Sequence, residues 1–240
     1  MNSTRLEKTL EHDRLLSETV KPIRILSALA WPREAETAFL DGWRAGRPAL
    51  PDVILEPQDF TREIEVLEAM QNKCDRAHPL DNLIFKTARS YASAARMLGA
   101  IGTPGFTNHS IELYGKPDDR YRTQDFTAFD AAEFFLQKTD ELMGGYVVPP
   151  SVADIPVEEF ARRLQTRIDD FFVDDKVEVV IDPALPSKAI AGSSRIRLRA
   201  GAFYSELDLE QLLEHEAHIH AATMHNGKRQ KNLGLLSLGA

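Results

Sequence analysis

A chain of 240 residues is long enough for one large domain or two small ones, each able to bury a core. Hydrophobic residues make up 43% and charged residues 28%, an ordinary soluble composition, and a net charge of -8 argues against a general nucleic-acid or anionic-membrane binder. The single cysteine, Cys74, excludes an internal disulfide, and no stretch approaches the ~18 apolar residues of a bilayer span.

Residues 3–17 read as a charged helix, and residues 1–20 lack the apolar run of a signal peptide, so the expected location is the cytoplasm. An apolar-periodic segment over 23–43 is interrupted at Trp31-Pro32. Helical patterns follow over 60–70 and over the alanine-rich 83–98. Gly102-Thr-Pro-Gly-Phe106 and Leu113-Tyr-Gly-Lys-Pro117 read as turns, and 129–143 as an amphipathic helix carrying Phe134, Phe135, Leu136 and Leu142. The segment from Gly144 to Pro150 is the candidate boundary. It divides a mainly helical region (1–148) from an α+β region (149–240).

Beyond the boundary, 157–172 predicts a helix and the β-branched 177–181 a strand. In 194–200, Ile196 and Leu198 alternate with Arg195, Arg197 and Arg199, the period of a strand with one buried face. Its arginines are expected to be solvated or to meet carboxylates. Ser205 with Asp208 predicts a capped helix start, and Asn226-Gly227 its stop.

That last helix carries four of the seven histidines, at positions 215, 218, 220 and 225. On an ideal helix Leu209, Leu212, Leu213, Ala217 and Met224 form an apolar stripe, with Glu216 and His220 in its middle. Glu214, His218 and His225 fall on the opposite, solvated side with Glu210, where they could hold a metal only weakly. A carboxylate and an imidazole on a core face need compensation. Either they bond each other across one turn, or they line a polar cleft and share a metal. His215 joins through the pattern His-Glu-x-x-x-His. In the familiar peptidase pattern the histidines are four apart; here five residues put them about 140° apart on an ideal α-helix. A π-bulge would bring them nearly into line, so a distorted helix between His215 and His220 is expected.

At these residues the chain resembles the bacterial QEGLA-motif proteins, named as flavohemoglobin-expression modulators, and their animal relatives, the microtubule-associated tyrosine carboxypeptidases. The resemblance is carried by Leu213-Glu-His-Glu-Ala-His-Ile-His220, Thr223-Met-His-Asn-Gly227 with Gln230, and Gly234-Leu-Leu-Ser-Leu-Gly239. Ser187-Lys-Ala-Ile-Ala-Gly192, Arg195-Ile-Arg-Leu-Arg199, Tyr146-Val-Val-Pro-Pro150 and Gly102-Thr-Pro-Gly-Phe106 with Leu113-Tyr-Gly115 add to it. It implies a zincin-like metallopeptidase half, a short sheet plus a zinc-motif helix. It further implies zinc held by His215 and His220, Glu216 as general base, and a peptide or protein C-terminus as substrate. The animal members remove a C-terminal tyrosine from tubulin, a substrate that need not carry over.

The family's third ligand is a glutamate in a Gln-Glu-Gly segment, which does not occur before Ala240. The expectation is therefore a truncated or incomplete relative, with the alternative of a non-catalytic regulatory or scaffold protein that keeps the fold. The strand over 194–200 is expected to form the cleft's upper edge, open to an extended peptide. Lys188, Arg195, Arg197 and Arg229 are candidate cations for a substrate carboxylate. The sequence leaves substrate and oligomeric state open.

Overall fold

The computed structural model describes residues 3–121, 123, 125–144, 153–173, 176–230 and 232–238. The expected boundary over 145–150, with the Tyr146–Pro150 motif, lies outside the described residues.

The first part is helical: α1 (Ser3–Thr19), α2 (Ile25–Ala28), α3 (Arg33–Arg44), α4 (Thr61–Gln71), α5 (Pro79–Gly99), α6 (Pro104–Tyr114) and α7 (Ala128–Met143). Helix α5 opens on Pro79, whose missing N–H costs nothing in a first turn. It buries Ile84, Ala88, Ala92 and Ala95, residues three or four apart that share one face. Their small side chains let α4 and α6 pack closely against it. Met97 and Leu98 of the same helix join Leu16, Val20, Leu67 and Met70 in one core, and Leu235 from the far end of the chain belongs to it.

Of the stretch expected as a turn at 102–106, Gly102 and Thr103 form one, with Gly102 at φ 78°, and Pro104 onward belongs to α6. The Thr103 hydroxyl accepts the Gly105 N–H, Pro104 fills the first helical position, and Gly115 ends the helix at φ 76°. Gly-Thr-Pro-Gly is thus a turn that runs directly into a helix start. Phe134, Phe135, Leu136 and Leu142 of α7 are exposed.

In the second part α8 (Val157–Phe171) packs against two small sheets. Strand β1 (Ile155–Pro156) pairs antiparallel with β5 (Phe203–Tyr204). The other sheet has the order β2 (Glu178–Asp182), β4 (Arg195–Arg199), β3 (Ala189–Ala191), with β2 parallel and β3 antiparallel to β4. Phe160, Leu164 and Ile168 of α8 meet Ile196, Leu198 and Tyr204 in a second core, and Phe160 stacks on Tyr204 at 4.1 Å between ring centres. The architecture is α+β with a helical N-terminal region, as the pattern foretold. No helix among the described residues is long and apolar enough to cross a membrane.

One expectation about β4 is corrected by the topology. It is bonded on both sides, so it cannot be the cleft's edge; that role falls to β3, whose Ala-Ile-Ala is too short to show a period. Of the two readings of the arginine face, carboxylate partners hold for two of its three residues. Arg197 meets Asp182 at 3.2 Å and Arg199 meets Glu36 of α3 at 3.1 Å, while Arg195 is exposed.

Candidate metal centre

The histidine helix begins at a capping box. The Ser205 hydroxyl accepts the Asp208 N–H at 3.1 Å, and the Asp208 carboxylate accepts the Ser205 N–H at 2.7 Å. Lys188, just before β3, donates to the same carboxylate at 2.9 Å, which ties the helix start to the sheet. Burial works against the charge on Asp208, but the bonds from Lys188 and Ser205 outweigh it and hold its pKa below the ordinary 3.8.

From there one continuous helix changes winding twice. Helix α9 (Glu206–Leu212) passes into a π-helix over Leu213–Ala221, which returns to α-winding as α10 (Ala222–Arg229). Leu213, Ala217 and Ala221 anchor the π segment in the second core. The distortion expected from the histidine spacing is present, extended over nine residues rather than a single bulge. In a π-helix residues five apart are stacked. His215 and His220 accordingly meet with their Nε2 atoms 3.1 Å apart and ring centres 4.7 Å apart. Two imidazole nitrogens at that distance satisfy each other only if one donates and the other accepts, or if both point their lone pairs at a shared cation.

Glu216 turns to the sheet. Its Oε2 accepts the Ala191 N–H at 2.9 Å. The β3–β4 register explains why that donor is available. Gly192 N donates to Arg195 O, Arg199 N donates to Lys188 O, and Ile190 pairs directly with Arg197. The residues between, Ala189 and Ala191, therefore direct their main-chain groups away from β4, towards the free edge. Glu216 and His220 line an open cavity of about 710 Å³ at that edge, together with Leu26, Ile190, Met224 and Leu238. This apolar lining comes from three distant stretches of sequence, and Leu26 and Leu238 carried no signal that would have placed them there.

The other two histidines are not on a bare solvent face. His218 stacks on Phe171 at 4.4 Å and its Nδ1 lies 3.1 Å from Glu214; His225 lies edge-on to Phe172 at 5.8 Å. Both cover the aromatic end of α8, a packing partner the helical wheel could not reveal. Among the described residues no group of three His, Cys, Asp or Glu side chains is gathered as a metal site. Of the candidate cations, Lys188 and Arg197 are ion-paired, Arg195 is exposed, and Arg229 lines a separate cavity with Phe172 and His225.

Gly227 does not stop the helix, which continues to Arg229. A Cβ there would fall 1.9 Å from the Leu236 carbonyl oxygen, so glycine is needed for the following chain to fold back against the helix.

Searches of curated proteins and of solved structures return no significant match. The family model for the microtubule-associated tyrosine carboxypeptidases, in contrast, matches residues 39–240, which takes in α4 to α8, every strand, the paired histidines and the return segment behind them. On that match the chain belongs to the microtubule-associated tyrosine carboxypeptidase family.

Proposed function

We propose that the chain is a zinc-dependent, carboxypeptidase-like metallopeptidase in which His215 and His220 hold the metal and Glu216 is the general base. The observation that carries this is the 3.1 Å approach of the two Nε2 atoms, one of them on His220, which lines the same cavity as Glu216. Tetrahedral zinc with nitrogen ligands at ~2.05 Å requires an N···N edge of about 3.3 Å, so the pair fits the ion with minor adjustment. The third protein ligand that a catalytic zinc takes is not among the described residues. Family membership supports a protein or peptide C-terminus as substrate. The zincin-like unit is read as residues 149–240, with 1–148 as its helical partner, acting in the cytoplasm.

Zinc held there would supply Lewis acidity to the scissile carbonyl and to an attacking water. The chain's own groups do the rest. Glu216, fixed by the Ala191 N–H, takes the water's proton and returns it to the leaving amine, a contribution of about 10²- to 10⁴-fold. Strand β3 keeps the Ala189 main-chain groups directed at the cleft, where an extended substrate can add to the edge. Leu26, Ile190, Met224 and Leu238 give the cleft apolar surface for a substrate side chain.

A second reading has its own support. With only two clustered donors among the described residues, the chain could keep the fold as a regulator or scaffold without chemistry. Metal analysis separates the two. The peptidase reading expects stoichiometric zinc in this chain or in a version extended past Ala240, lost in His215→Ala and His220→Ala. No zinc in either form, at full occupancy of folded protein, leaves the regulator.

A further inference from the structure

Helix α1 lies outside the matched segment, yet it reaches the site. Asp13 is 1% exposed, and both its carboxylate oxygens are engaged by main chain more than 220 residues away. Oδ2 accepts the Gly234 N–H at 2.7 Å and Oδ1 the Leu235 N–H at 2.9 Å. These two donors open a short 3-10 turn (Gly234–Ser237) in the segment that returns from the histidine helix. Leu235 is buried in the first core with Leu16 and Val20 of α1, and Leu236 and Leu238 pack against the same cluster.

The fit is close on both sides of the returning segment. A Cβ on Gly234 would lie 2.9 Å from the Ser17 hydroxyl of α1, and a Cβ on Gly227 would collide with the Leu236 carbonyl from the helix side. The segment is thus clamped between α1 and α10, and its last described residue, Leu238, forms the cavity wall beside His220 and Met224. The histidine helix itself is held independently, through Leu213, Ala217 and Ala221 in the second core.

We propose that Asp13 is a positioning residue for the site: by anchoring the return segment it sets where Leu238 stands, and so the fit of the substrate chain, without holding the histidine pair. This deepens the peptidase reading and rests on it for the identity of the substrate. A buried carboxylate gripping two N–H groups is the strong kind of hydrogen bond, and the amide of Asn at the same place offers one accepting oxygen and presents an N–H to a donor.

The test uses the full chain and two variants that act on the segment from opposite sides, Asp13→Asn and Gly227→Ala. Three readouts are taken: amide exchange, zinc affinity by titration, and the kinetics or affinity of a short peptide ending in tyrosine. Both variants are expected to speed exchange at 233–238 by about tenfold or more, Asp13→Asn through the loss of one charge-assisted bond and Gly227→Ala through the clash with the Leu236 carbonyl. Exchange at 213–221 and zinc affinity should stay within about threefold. KM should rise about tenfold while kcat changes little, because the reacting groups are not displaced. Unchanged exchange at 233–238 in Asp13→Asn overturns the anchor. Faster exchange with unchanged KM overturns the wall. A wild-type chain that binds the peptide without cleaving it removes the peptidase reading alone, and the comparison is then made on Kd, which must weaken in both variants. A chain that is folded but binds no such peptide overturns the positioning role.

Discussion

Replacing Glu216 by Gln isolates the proposed base with the least disturbance to the site. The amide keeps an oxygen that can still accept the Ala191 N–H, so the side chain should stay at the edge of β3. What is lost is the charge. A hydrogen bond to a charged acceptor contributes about 1.5–3 kcal/mol and a neutral one about 0.5–1.5, so stability should fall by about 1 kcal/mol. For a chain of this size that corresponds to a drop of roughly 2–4 °C in Tm. Activity should respond far more. Removing general-base catalysis costs about 10²- to 10⁴-fold, or about 2.7–5.4 kcal/mol in the barrier at 1.36 kcal/mol per tenfold. The assay is kcat/KM for a peptide ending in tyrosine, with zinc content and Tm measured on the same preparation. A Gln variant that keeps zinc and retains kcat/KM within about threefold of wild type refutes the base assignment. If Gln and Ala variants lose equal stability, the Ala191 contact does not hold the side chain and the geometric argument fails with it.

Two further expectations concern the cores. His12 of α1 is buried, and its pKa is pushed below 6.5 by that burial and by the nearby Lys8. A folded-state value below the unfolded one means that the stability linked to His12 is complete above pH 6.5 and is lost as pH falls through the folded value. The urea midpoint should therefore decline below pH 6.5, and less steeply in His12→Leu; an identical slope in the variant would show that another group titrates. Phe160 is fully buried and stacked on Tyr204, so Phe160→Ala should cost about 3–5 kcal/mol in chemical denaturation, and a loss under 1 kcal/mol would mean the second core does not depend on that stack.

Local signals carried much of the fold. The helix over 83–98 and the strand over 194–200 were legible because burial on one face imposes a period on the residues themselves. The five-residue histidine spacing likewise announced a departure from α-winding, since no α-helix brings such a pair together. The failures share a cause, which is information held by distant partners. Ala189–Ala191 is a strand only because β4 lies beside it, and that neighbour moved the cleft's edge from β4 to β3. The arginine face of β4 was open between solvent and carboxylates, and only the placement of Asp182 and Glu36 decides it for Arg197 and Arg199. Asp13 offered no hint of its bond to Gly234, because nothing local marks a carboxylate for main chain at the other end of the sequence.

The π-winding has a consequence beyond the histidines it pairs. A helix is a screw, so a change in the number of residues per turn rotates everything downstream of it. The π-winding takes up an extra residue over nearly the same rotation, so rewinding Leu213–Ala221 as α-helix with no residue removed would turn α10 by about 100° about the axis. Gly227 faces the Leu236 carbonyl, and Met224 faces the cavity, only at the present angle. Loss of the π-winding at unchanged length would therefore swing both away from their present neighbours, whereas removing one residue along with it would leave α10 near its present angle. In this chain the angular phase of one helix sets both the imidazole pair and the faces that Met224 and Gly227 present to the cavity and the return segment.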